Sequence, residues 1–256
     1  MPPRSTSRAL SAFAAACLTL VAGVGAASPE PWPSLLGSRQ AFAPDVSAAV
    51  ERVWSEPTLR RTVNGRPAHV PLDVYMAFLD TPEVTAAAAR FRKVANFEIR
   101  AVDDDHYVAS DGDGARGVAQ VLRREPQRVV MLSRGEHTGP FLGTISGSAL
   151  TVLDLESKQQ AVNPRLVAYV YIDSPVAAAL ARTLVPTFGF IADRKLGEGM
   201  RVTAEVAEWA IDPSGGFCEW LARQPIQRAR RDRILTALSS CAPGPARRES
   251  APSQSP

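Results

Sequence analysis

Between residues 97 and 172 the chain alternates apolar and polar residues, while the stretches on either side follow a helical period. That change of period constrains the fold more than any other feature, because alternation places successive side chains on opposite faces of an extended strand. Six stretches carry it: 97–102, 107–110, 117–124, 128–134, 144–155 and 165–172. Between them lie turn-rich segments, Asp103-Asp104-Asp105, Asp111-Gly112-Asp113-Gly114, Glu125-Pro126 and 135–140. Connections this short imply an antiparallel meander.

The flanks add helices. A short strand at 59–63 and a turn at Asn64-Gly65 precede Pro71, after which Leu72, Tyr75, Met76 and Leu79 share one stripe. Thr81 as N-cap and Pro82 at the first helical position start a second helix, to about Arg92. After the strands, 175–210 reads as one long helix whose apolar face includes Leu180, Leu184, Phe188, Ile191, Met200, Val202, Val206 and Trp209. Pro186 inside it predicts a kink or a split. The order is that of an α+β domain over 58–211, a curved antiparallel sheet of six or seven strands around a long C-terminal helix.

Outside that domain, 28–57 is a Pro-rich extension with one helix, N-capped by Asp45 and carrying Val46, Val50 and Val53 on one face. Two short helices at 216–223 and 227–240 form a hairpin that a Cys218–Cys241 disulfide is predicted to close. Residues 242–256 show no apolar periodicity and read as a disordered tail.

The N-terminus has the parts of a secretory signal. Arg4 and Arg8 precede an apolar run over 10–21, and small residues at 24–28 suit cleavage near Ala27 or Ser28. The run is shorter than the ~20 residues of a bilayer span. Lipidation at Cys17 is the less favoured alternative, since the residues before it lack the usual leucine. The chain holds 29 basic and 26 acidic residues, and Arg4 and Arg8 leave with the leader, so 27 against 26 remain. A net charge of +1 demands neither a nucleic acid nor an acidic membrane as partner.

The stretch Val70-Pro71-Leu72-Asp73-Val74-Tyr75-Met76-Ala77-Phe78-Leu79-Asp80-Thr81-Pro82 is similar to the opening of the START-like (SRPBCC) helix-grip superfamily. There a proline precedes a helix with an aromatic and an aliphatic residue before an aspartate. Residues 170–209 resemble that superfamily's last strand leading into the gripped helix. Polyketide cyclases, aromatase-type domains and lipid-transfer proteins belong to it. The resemblance spans roughly 150 residues and implies a mainly apolar cavity between sheet and helix. Ala177 to Ala179, Gly189, Gly197 and Gly199 on the long helix fill little space, which favours a cavity; close backbone packing is the other reading. The leader, the extension, Pro186 and the Cys-bearing hairpin depart from the common pattern.

Motif chemistry is sparse. Gly112-Asp113-Gly114-Ala115-Arg116-Gly117 matches GxGxxG, but a strand rather than a helix follows, so a hairpin turn is expected instead of a phosphate site. The acidic turns lack calcium-loop ligands, with Ala109 and Gln120 at positions that need acids. His69, His106 and His137 have no zinc spacing, and Gly143 to Gly147 is no nucleophile elbow. No catalytic residue, metal or cofactor is assigned.

For ligand binding the candidates are Tyr169 and Tyr171 on one face of the last strand, Arg134 and His137 on another strand, and Leu184 and Phe188 on the helix. The tyrosines orient a ligand's polar end if they point inward; an outer, solvated face is the equal alternative. Arg228, Arg230, Arg231 and Arg233, with Arg223, offer weak contact with a membrane surface, or a solvated helix face. The leading expectation is an exported, periplasmic or secreted binder of a hydrophobic small molecule. A cavity-based cyclase or hydrolase, or a cell-envelope interaction module, are the alternatives.

Overall fold

The structure is a computed structural model that describes residues 32–139, 143–238 and 241, and of helix residues 184–192 the backbone alone. The expected leader, Cys17 and the tail lie outside the described residues. Two short 3-10 turns, Ser34–Leu36 and Arg39–Ala41, lead into α1 (Pro44–Ser55) and β1 (Leu59–Asn64). The helices α2 (Leu72–Asp80) and α3 (Pro82–Phe91) come next. The strands β2 (Glu98–Ala101), β3 (His106–Ser110), β4 (Ala115–Glu125), β5 (Arg128–Gly139), β6 (Gly143–Lys158) and β7 (Ala161–Ile172) follow. The chain closes with α4 (Pro175–Ile211), α5 (Phe217–Ala222) and α6 (Arg228–Ala237).

All seven strands form one curved antiparallel sheet in the order β1-β7-β6-β5-β4-β3-β2. Consecutive strands from β2 to β7 pair as hairpins, and β1 returns to pair with β7. The α2–α3 corner is set locally. Pro82 cannot continue a helix from behind, and the Thr81 hydroxyl instead donates to the Ala77 carbonyl at 2.7 Å. Thr85 ties the second helix to the first through the Phe78 carbonyl at 2.7 Å.

Strand parity splits the apolar residues between two faces. One face carries Leu153, Leu155, Val162 and Leu166 under the C-terminal half of α4, where Met200, Val202, Val206 and Trp209 are buried. Tyr75 and Phe78 of α2 and Phe217, Trp220 and Leu221 of α5 complete that core. The opposite face carries Val130, Leu132, Leu150, Val152 and Tyr169 under Val46, Val50 and Val53 of α1. The sheet is thus covered on both faces, and the N-terminal extension is part of its packing.

Several expectations change. Asp45 lies in the first turn of α1, and Ala43 is the N-cap, because Pro44 already occupies the first helical position. Pro186 does not split α4, which runs unbroken through 37 residues, about 55 Å at the usual rise. Leu180 is exposed rather than part of the buried stripe. Segment 135–140 is mostly strand: β5 continues to Gly139, and its glycines are pairing positions instead of turn markers.

The hairpin forms as expected, with Cys218 bonded to Cys241. Its arginines do not present a common basic face. Arg230 has a side chain only 5 % exposed, and its guanidinium donates to the Asp103 carbonyl at 2.6 Å. Arg231 donates to the Gln224 carbonyl, Arg233 to the Asp80 carbonyl, and Arg228 lies 3.6 Å from Asp232. Arg230, with Arg233 beside it, docks the hairpin on the α2–α3 and β2–β3 turns, because a buried guanidinium needs acceptors that the turns supply, while Arg228 stays exposed on its own helix.

Candidate functional site

Around Lys195, Glu198 and Gly199, α4 crosses the sheet without filling the space beneath it. The helix packs along β1 and β7 and against α2, α3 and α5. Two bidentate pairs hold it there: Arg61 of β1 with Asp193 (2.9 and 2.5 Å) and Arg66 with Glu208 (3.0 and 2.7 Å). Between α4 and strands β2 to β7 an open trough of about 580 Å3 remains.

Its floor is built from rows of small residues that face α4. Gly117, Gly135 and Gly147 stand side by side on three adjacent strands, flanked by Ala109 and Ile172. A Cβ at Gly117 would strike the Arg134 carbonyl oxygen, and one at Gly147 would lie 2.5 Å from that of Tyr171. The strands approach so closely along this row that only glycine fits. On one side Ala119, Ser133, Ala149 and Val170 form the next row; on the other stand Ala115, His137 and Ile145. Across the trough Gly199 of α4 has nothing within 4 Å of where a Cβ would be, whereas a Cβ at Gly197 would meet Val63 at 3.4 Å. The two readings of the helix glycines therefore both hold: Gly197 packs, and Gly199 opens space.

Charge gathers at one end. Lys195 of α4 reaches to 3.9 Å from both Asp111 and Asp113 in the β3–β4 turn, with Glu198 one turn on. Burial pushes the Asp111 carboxyl up, but backbone N–H groups of Ala115 and Asp113, with Lys195 and His137 nearby, outweigh it and hold the group below its usual range. The same N–H bonds, at 2.9 and 2.8 Å, shape the Gly112–Gly114 turn as the hairpin expected from the sequence. The lining is otherwise mostly apolar and carries no metal-ligand cluster among the described residues.

The sequence-derived candidates scatter. His137 lines the trough. Arg134 borders it through its strand position, yet its guanidinium donates to the Asp45 carbonyl of α1 at 3.0 Å, on the other face. Tyr169 and Tyr171 are not trough residues. They point to the α1 side, where Trp54 packs on Tyr169, Arg60 lies 4.9 Å over the Tyr169 ring and Arg52 lies 5.7 Å over Tyr171. Their parity is opposite to that of Leu166, Ala168 and Val170, which the α4 side claims. The side chains of Leu184 and Phe188 lie outside the described residues. The glycine row was not anticipated, because its members align only once the register is known.

No family model matches the chain, and no curated protein matches it. Solved structures overlap it in part. A conserved protein from Geobacillus kaustophilus is 17% identical, with 59% of this chain and 96% of that one covered and a TM-score of 0.44. A protein from Rhizobium loti is 18% identical, covering 59% and 96%, with a TM-score of 0.37. Ara h 8.0201 is 10% identical over 58% and 98%, also at 0.37.

Proposed function

We propose that the chain is an exported binder or carrier of a hydrophobic or amphipathic small molecule, of the lipid, sterol-like, quinone or polyketide-like kind, acting by binding and not by catalysis. The observation that carries this reading is the trough. Its volume of about 580 Å3 falls within the ~300–1,000 Å3 of small-molecule sites, and its floor is kept bare by glycines that no other residue can replace. A mostly apolar wall with charge confined to one end suits an apolar body with a polar terminus. The closed Cys218–Cys241 bond is compatible with an oxidising compartment outside the cytoplasm. Among the described residues no helix is long and apolar enough to cross a membrane.

Native mass spectrometry of the chain from an exporting host, before and after organic extraction, tests the proposal. A discrete bound mass that extraction removes is expected. Ala149→Phe, which fills the trough between Ser133 and Val170, is expected to lose that mass while the chain stays folded. Retention of the same ligand by Ala149→Phe, or a chain that binds no apolar probe at all, would overturn it. Turnover of the bound molecule on standing would move the reading to a cavity-based enzyme.

A further inference from the structure

The edge of the sheet formed by β2 and β3 has little apolar support of its own. Tyr107, Val121 and Val129 are the buried residues of the cluster there, separate from the two larger cores. The Asp103–Asp105 turn between these strands is shaped by its own Asp103 side chain, which accepts from the Asp105 and His106 N–H groups. It is tied to the rest of the molecule by two arginines, one from the neighbouring β4 and one from the distant α6. Arg124 of β4 donates to the Asp104 carbonyl at 2.8 Å and to Asp80 at 2.9 Å, and also pairs with Asp105. Arg230 of α6 donates to the Asp103 carbonyl at 2.6 Å, lies 3.4 Å from Glu83 and from Asp104, and covers the Tyr107 ring at 5.7 Å. Among the described residues, Arg230 is the one long-range tie from the hairpin to this turn that is itself buried.

The seat of α6 is narrow. Ile234 and the following Leu238 are its fully buried apolar anchors, Arg230 and Arg233 bond it to the Asp80 carbonyl, and a covalent bond from Cys218 of α5 to Cys241, 23 residues apart, ties down its end. Both cysteines are half-buried, within reach of a small dithiol. We propose that the disulfide-closed hairpin is a redox-dependent clamp on the β2–β3 edge, with Arg230 as its jaw. A dithiol reductant delivers two electrons and two protons: the S–S bond breaks, two thiols form, and the reductant closes its own disulfide. Opened in this way, α6 loses its covalent tether, Arg230 leaves the Asp103 carbonyl, and β2 and β3 loosen while the remaining sheet stays intact. Because Phe97 and Ile99 wall the trough, the clamp also sets the width of that side, but its action on the edge is independent of any ligand.

Hydrogen exchange on the full chain, oxidised and after dithiothreitol, tests this, with Arg230→Met in the oxidised chain as the second arm. Reduction is expected to speed exchange in 98–110 by about tenfold or more, with β6 and β7 unchanged. Arg230→Met is expected to reproduce that pattern with the disulfide closed, and reduction of the variant is then expected to add little in 98–110. Faster exchange confined to 217–238 would overturn the coupling. A uniform rise across all strands, or wild-type protection of 98–110 in Arg230→Met, would overturn it equally.

Discussion

Trp54 of α1 lies against Tyr169 of β7 with ring centroids 4.5 Å apart, on the sheet face turned away from α4. The pair makes the N-terminal extension a second cover for the sheet and removes Tyr169 from the trough. Tyr169→Ala is therefore expected to lower stability by about 3 kcal/mol in urea unfolding. Affinity of the folded variant for an apolar probe should stay within about twofold of wild type. A large loss of affinity with little loss of stability would place the tyrosine in the site after all.

Two glycines on opposite sides of the trough, one in the floor and one on the helix above, should respond in opposite directions. Gly147→Ala drives a methyl to 2.5 Å from the Tyr171 carbonyl and is expected to cost about 2 kcal/mol. Gly199→Ala meets nothing within 4 Å in a helix interior and should raise stability by about 0.5–1 kcal/mol. Thermal unfolding of both variants reads the contrast.

The Arg66–Glu208 pair gives a pH dependence of known sign. Burial alone would raise the Glu208 carboxyl, but the Arg66 guanidinium and the His69 backbone N–H bring it below its usual value. A depressed carboxylate stabilises above its unfolded pKa, and that share is lost as pH falls through the folded one. Glu208→Gln should thus cost about 1 kcal/mol or less at pH 7, since both side chains are partly solvated. The gap to wild type should close as pH falls below about 4, measured by urea unfolding across pH.

The β6–β7 hairpin turns through Gln159 and Gln160, both with positive φ (50° and 64°). A two-residue turn of this hand favours an asparagine followed by a glycine, and glutamine bears the strain of its Cβ there. Gln160→Gly should add about 1 kcal/mol to stability in thermal unfolding without altering the register of β6 on β7.

The element order was legible in the sequence because each period is local. Parity within 165–172 separates Tyr169 from Ala168 without any structure, and the odd spacing from Arg134 to His137 already places them on opposite faces. Which face meets α4 is not local. It depends on where the valines of α1 come to rest, and a helix read as a detached extension gave no sign that it covers the sheet. Arg230 was illegible for the same reason: its place in 228–233 describes a polar helix, while its acceptors in the β2–β3 turn lie more than 120 residues away in the chain. Gly117 and Gly147 read as ordinary strand residues and Gly135 as part of a turn, and their shared meaning lies in the register that aligns them.

That alignment restricts how the trough can diverge. A glycine row where every added methyl strikes a neighbouring carbonyl is closed to gradual tuning, so related chains that keep the row must vary what they accept elsewhere. The adjustable positions are the small side chains beside it, Ala119, Ser133 and Ala149, together with Gly199 overhead. Selectivity in this architecture is written beside the glycine row and on the helix above it.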